Sequence, residues 1–486
     1  THKVETPRGE AYVITADDMA PLSKAGQPNI PTLSIPVVVS DHSRMDVRIV
    51  ETEYIDYHDF DIAPSKGDFP RSINPEDVPF SYGEEYNKDA FFPSTYVNLD
   101  SPYILRDFRG QNIKVTPFAY NPITRVLRVY NKMTIEVYSS SERGENEKDR
   151  HSEIIRIDND FEQIYGSRFI NYQESNAKYT VVGEDGDLLI ICHDAFMGAM
   201  EPFVEWKNTI GRKTTIVGTS ITGTSTDNIK AYISDQYDEN PNLTHVLLVG
   251  DVAHIPGKYI NFTGYPGCSD WWYGQLSGDD YYNELIVGRF SVESVDDVTN
   301  HVNKVIHYER DIDTSDTWLK VGQGVSKREN MYGHFGEDDY EHIDNIREDL
   351  LDYNYTTVHR DYANVSGVSS SAAMVSEHIN NGVSIINYCN HGSPTSWGVF
   401  SYSNSHINQL VNDNKLPFII SVACNNGQYD YYSDVCFAEA WLRAKNNTNG
   451  NPTGAIGGMF SYISQPWIPP MYGQDEMVDI LVESYS

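Results

Sequence analysis

Val383-Ser384-Ile385-Ile386-Asn387-Tyr388 runs into Cys389-Asn390-His391-Gly392-Ser393, and further on Pro417-Phe418-Ile419-Ile420-Ser421-Val422-Ala423 runs into Cys424-Asn425-Asn426-Gly427. Each is an apolar, β-branched run that empties into a glycine-bearing turn, the pattern of a strand buried on both faces. Between them Ile407, Leu410 and Val411 recur at helical spacing within 404–414, so the unit reads strand, helix, strand. A right-handed crossover makes the two strands parallel neighbours. His391 and Cys424 then leave the same carboxyl edge of one sheet, where open α/β sheets place their ligands.

A thiol beside an imidazole at such an edge has a defined chemistry. The imidazole takes the thiol proton, and the resulting thiolate attacks a carbonyl carbon. The ordinary alternative is a buried structural thiol and a turn histidine, since free cysteine is among the most buried residue types. Paired strand ends with flanking glycines bring the two readings level.

Working outward, 486 residues exceed what one core usually serves. From Asp187 onward strands and helices alternate: strands at 188–192, 214–217, 246–249, 356–358, 383–388 and 417–423, helices at 195–208, 226–237, 340–351 and 370–380. This rhythm is that of an α/β region with mostly parallel sheets, divided into side-by-side subdomains at 179–318 and 319–486. Residues 1–140 differ. Val37-Val38-Val39, Val47-Arg48-Ile49-Val50, Ile113-Lys114-Val115, Val126 to Tyr130 and Met133 to Val137 are short strands between proline and glycine turns, an all-β domain. The polar stretch Ser139 to Arg150 reads as a flexible linker, opening a connecting segment over 141–178.

The net charge of −34 argues against nucleic acid or an anionic membrane as partner. No apolar run approaches the length of a membrane span, and residues 1–30 lack a signal-peptide pattern. Five scattered cysteines are too few for a disulfide framework, and their odd number leaves a free thiol. Cys192, Cys389 and Cys436 read as packing residues.

Asn390 to Gly398, Asn414 to Ile419 and Val422 to Gly427 together resemble the catalytic core of the gingipains, secreted bacterial cysteine peptidases with a caspase-like fold. The resemblance runs from about Tyr179 to the end of the chain, through Gly274 to Glu284, Ile306 to Arg310 and Gly473 to Met477. It implies that Cys424 is the nucleophile and His391 the general base and acid, with the backbone N–H groups of Gly392 and Cys424 as oxyanion hole. Leu105 to Gly110 and Pro117 to Pro122 are similar to the propeptide of these enzymes. The first domain would then be an intramolecular inhibitor, with the junction to the mature enzyme at Lys178-Tyr179. A basic residue of an exposed loop, such as Arg143, Arg150 or Arg168, would occupy or be cut by the active site. The likeness also carries the catalytic domain beyond Ser486.

Gly278 to Glu284 packs three carboxylates into one loop, and Asp251 ends a strand. Oxygen-rich loops suit Ca²⁺, although a solvated acidic turn has the same composition. The resemblance implies calcium held by the side chains of Asp251, Asp280 and Glu284 and the backbone oxygens of Ser277 and Tyr282, with Glu337 and His342 at further calcium-associated positions. Acids at 337–341 open a predicted helix, where carboxylates favour the N-terminus in any case. By likeness to the arginine-specific members, Asp339 forms the base of the specificity pocket and Trp467 its lid. A buried carboxylate suits guanidinium better than ammonium, giving cleavage after Arg first and Lys second. An ungapped register puts Arg328 where the family has a carboxylate behind the histidine; either a local shift brings Glu329 in, or the pair works without an acid.

These observations predict a calcium-stabilised cysteine endopeptidase zymogen, secreted or on a bacterial surface, acting on protein and peptide substrates. The alternatives are a peptidase of other specificity and a non-catalytic surface protein that binds through a caspase-like scaffold.

Overall fold

The computed structural model describes residues 1–16, 19–21, 24–71, 73–149, 157–172, 186–262, 265–329, 333, 336–431 and 435–483. Runs that alternate apolar and polar residues bury one face of a strand, and the amino-terminal region is built of such strands, all antiparallel. Phe108–Val115 is flanked by Thr32–Val38 and Val97–Leu99 and forms a hairpin with Tyr103–Leu105. Ser43–Tyr57 and Val126–Arg143 pair as a long ribbon that Phe118–Asn121 extends. Val37, Val97, Ile113 and Val115 pack with Met45, Val47, Met133, Ile135 and Val137 into one core.

The flexible linker expected from Ser139 is not formed there. Val126–Arg143 continues as strand through the serines, and Ser139 and Arg143 pair with Met45 and Ser43. Beyond it, the buried guanidinium of Arg109 collects the carbonyls of Glu145 and Asn146, so hydrogen bonds to the backbone hold a stretch whose composition reads as unstructured. Helix Asn159–Arg168 then packs Phe161 and Tyr165 against Tyr103 and Leu105.

The remainder holds two parallel sheets. The first has the order Thr214–Gly218, Asp187–Cys192, Leu243–Val249, Ile286–Phe290. The second has the order Thr357–Ala363, Val321–Lys327, Ile385–Cys389, Phe418–Val422, Gly457–Phe460. Helices Met197–Thr209, Thr226–Glu239, Asp339–Tyr353 and Ala372–Asn381 form where expected. The helix predicted over 404–414 stops at Ile407. Past it the Asn412 side chain binds the carbonyls of Lys415 and Gly454, a local alternative to continuing the helix.

Ile385–Cys389 and Phe418–Val422 are parallel neighbours, with Cys389 opposite Val422. Ile386, Tyr388, Ile419 and Ala423 are fully buried against Trp397, Phe437 and Trp441. The Tyr388 and Trp397 rings stack at 4.4 Å, and the Tyr388 hydroxyl donates to the His391 carbonyl. The core of this sheet thereby fixes the turn that carries His391.

Candidate active site

His391 and Cys424 follow directly from these two strands, so adjacent strand ends present both side chains at one edge. Gly392 is required by how closely the turns approach. A Cβ there would lie 2.8 Å from both the Ala423 Cβ and the Cys424 carbonyl oxygen. Glu329 Oε1 lies 3.2 Å from His391 Nε2, which leaves Nδ1 as the nitrogen for proton exchange. Burial acts to raise the Glu329 pKa, but His391, Asn390 and Lys327 outweigh it and hold the carboxyl down at about 2. Arg328, which an ungapped register puts in that place, is exposed and turned towards Asp338, 3.6 Å away.

An arginine fills the cleft beside this pair, and it comes from the amino-terminal domain. Arg71 is fully buried, with Nη1 2.9 Å from Asp339 Oδ2 and Nη2 3.2 Å from Cys389 Sγ. Its guanidinium lies under the Trp467 ring, 4.6 Å from the centroid. Its backbone N–H donates to the Gln465 carbonyl, Pro70 bridges antiparallel to Pro466, and Trp467 Nε1 donates to the Ile73 carbonyl. Burial works against the Arg71 charge, and Asp339 more than offsets it, so the guanidinium is held more firmly protonated than in water. Cys424 Sγ lies 3.9 Å from the same Gln465 carbonyl. Burial raises the Cys424 pKa against the opposing pull of that carbonyl contact and Arg71, so the thiol form is favoured while the cleft is filled.

Arg143 and Arg168 are elsewhere. Arg143 is exposed and paired with Glu147, while Arg168 donates to the Tyr282 hydroxyl. Arg150, Lys178 and Tyr179 lie outside the described residues. Arg71 carried no signal in the sequence, because a residue buried against another domain leaves no exposed-loop composition behind.

The acidic positions fall into three separate places. Asp251 follows the carboxyl end of Leu243–Val249 and its N–H bonds to the Val292 carbonyl, whereas Glu284 precedes the amino end of the parallel neighbour Ile286–Phe290. Opposite edges of the sheet put them on the order of 20 Å apart, so one ion cannot take both. Asp251 instead meets Arg443 at 3.3 Å. Asp280 accepts N–H groups from Tyr282 and from Ile104 of the amino-terminal domain. Glu284 Oε2 accepts from the N–H groups of Leu276 and Ser277, while Oε1 is buried without a partner among the described residues and burial pushes the carboxyl up to about 7. This loop retains one feature that suits a cation, the orphaned Glu284 oxygen. His342 is buried between Gln474 and Asp475, and Glu337 contributes to pushing Asp475 up to about 8, after burial. Among the described residues no three His, Cys, Asp or Glu side chains converge as metal ligands.

The amino-terminal domain has a second anchor on the same body. Arg106, at the tip of the Tyr103–Leu105 hairpin with φ 43°, donates to the carbonyls of Pro241, Leu243 and Glu284. Tyr103 stacks on Tyr282 at 3.8 Å.

The family model described as peptidase family C25 matches residues 182–485, and that of the C25 propeptide matches residues 1–179. The chain belongs to peptidase family C25. Gingipain R2 of Porphyromonas gingivalis is 39% identical over 493 residues, which cover 99% of this chain and 64% of that protein. The chain spans between 28% and 64% of the length of the curated gingipain R relatives it matches. The crystal structure of the Arg-specific cysteine proteinase gingipain R matches with a TM-score of 0.58 at 38% identity, covering 63% of this chain and 70% of that one. The complex of pro- and mature domains of RgpB from Porphyromonas gingivalis gives 0.57 at 38% identity, covering 61% and 69%. In this C25 chain the propeptide region and the peptidase region are one continuous polypeptide, and the first fills the cleft of the second.

Proposed function

We propose that the chain is the latent form of a cysteine endopeptidase that cleaves peptide bonds after Arg, with Lys second. The observation that carries this reading is the Arg71 guanidinium seated on Asp339 under Trp467, where a substrate arginine would sit. His391 takes the Cys424 proton, and the thiolate attacks the carbonyl carbon of the bound arginine itself. The tetrahedral oxyanion is received by the N–H groups of Gly392 and Cys424. His391 returns the proton to the departing amine, leaving a thioester on Cys424. Water, deprotonated by His391, hydrolyses the thioester and restores the thiol. The gingipain relatives support a secreted or cell-surface location, and no described helix is long and apolar enough to cross a membrane.

Arg71→Ala in the full chain tests the inhibitory assignment. Removing one member of a buried ion pair costs about 3–5 kcal/mol, so the hold on the cleft should weaken at least about 100-fold. Hydrolysis of Arg reporter peptides should rise before any cleavage of the chain, and Lys reporters should lag behind; unchanged latency would show that Arg71 is not the plug.

Calcium belongs to the proposal only at the 277–284 loop, with Glu284, Asp280 and the carbonyls of Ser277 and Tyr282 as holders and Asp251 excluded. Its part would be to fix the loop electrostatically. At a hundredfold excess over its dissociation constant such an ion adds about 2.7 kcal/mol of stability. The melting temperature should therefore fall on adding a chelator and recover with Ca²⁺, and Glu284→Gln should abolish that response; a chelator-insensitive wild type would remove calcium from this loop.

A further inference from the structure

We infer that Asn390 is a positioning residue that ties occupation of the arginine pocket to alignment of His391; this rests on the reading of Asp339 and His391 given above. The Asn390 side-chain amide donates both its hydrogens, one to Glu329 Oε2 at 2.9 Å and one to Asp339 Oδ2 at 2.8 Å. It is the link between the carboxylate that holds the imidazole and the carboxylate that holds the guanidinium. Glu329 spends its other oxygen on His391 Nε2, and Asp339 spends the same Oδ2 on Arg71 Nη1. A continuous path of hydrogen bonds thus runs from the bound arginine to the imidazole through one neutral amide.

The chemistry fixes how this amide is turned. Two carboxylate oxygens demand its NH₂ end, because the flipped amide would oppose its own carbonyl to both. The cost is visible on the other side: Asn390 Oδ1 is buried and has no hydrogen-bond partner among the described residues. A buried unpaired carbonyl oxygen is destabilising, and a residue with no side-chain carbonyl would avoid it. The side chain is 1% exposed and its backbone N–H is tied to the Val422 carbonyl, so the amide cannot swing out to water.

Asn390 also keeps two acids in one small volume from acting only by repulsion. With the pocket empty, both carboxylates pull on a single NH₂ group. With a cationic side chain on Asp339, that charge is matched and the Glu329 side of the bridge is left to hold the imidazole. Arginine binding would therefore act on the alignment step of catalysis as well as on affinity.

The test uses the full chain with Arg71→Ala, so that the cleft is open, and adds Asn390→Ala. With Arg reporters kcat should fall about 10–100-fold, as for loss of a residue that orients a working side chain, and KM should change by less than about threefold. The acid limb of the kcat/KM profile should move, since His391 is no longer held by an oriented carboxylate. In a double-mutant cycle, Asn390→Ala added to Glu329→Gln should cause little further loss. Asn390→Gly, which any backbone conformation accepts, provides the same readings if the alanine variant folds poorly. A kcat within about twofold and an unmoved pH profile would overturn the inference, as would full additivity with Glu329→Gln. A parent chain that ignores Arg reporters and is unaffected by loss of Cys424 would instead overturn the site reading and this inference with it.

Discussion

Cys424→Ala should lower hydrolysis of Arg reporter peptides by at least about 10³-fold, the scale on which enzymes lose rate when their nucleophile is removed. The loss should fall on kcat, because Asp339 and Trp467 remain to bind the arginine. In the Arg71→Ala background, with part-exposed Cys268 and the Arg71-covered Cys389 replaced by serine, an electrophilic thiol reagent should label Cys424 ahead of the buried Cys192 and Cys436. With Arg71 in place the same reagent should be slow, since Cys424 is 6% exposed in the filled cleft and its burial raises the thiol pKa although Arg71 itself pulls the other way. Activity that survives the substitution would remove the nucleophile assignment, and the dyad with it.

Asp339→Asn should be almost as severe for arginine substrates, for a different reason. Asp339 is 2% exposed, and its carboxylate supplies the negative charge that Arg71 meets in the pocket. A guanidinium that enters a dry pocket lined by an amide is desolvated without a counter-charge, which costs about 3–5 kcal/mol. The ratio kcat/KM for Arg reporters should drop about 10²–10³-fold, while a reporter with a neutral residue at that position should change little. An Arg preference left intact would place the specificity charge elsewhere. The same substitution should loosen the pro-domain, because that carboxylate is the one Arg71 is seated on.

The parts of this site that the sequence made legible are those whose position follows from chain continuity. His391 and Cys424 each follow a buried strand, and a crossover between parallel strands puts both ends at one edge. Glu329 was legible only to within one residue. Its strand ends at Lys327, and beyond that the side chains alternate, so Arg328 faces outward and Glu329 inward. Asp251 misled because a strand end says which edge a residue occupies only after its sheet neighbours are known. Arg71 was beyond reach, since its partner is 268 positions away and no periodicity marks a residue whose environment is another domain. The serines and charges after Ser139 were misread as linker because composition does not record that Arg109 collects their carbonyls. Strands Ile286–Phe290 and Gly457–Phe460 went unseen where Gly288, Gly457 and Gly458 dilute the β-forming pattern.

Arg71 and Arg106 fasten the propeptide region to the peptidase region at two separated points. Such bidentate attachment works by local concentration: while either foot stays down, the other is presented to its socket at roughly millimolar strength. Letting go is then a sequence of partial detachments. Loss of one foot should therefore open the cleft transiently without shedding the domain, and complete departure should need the second foot to fail as well.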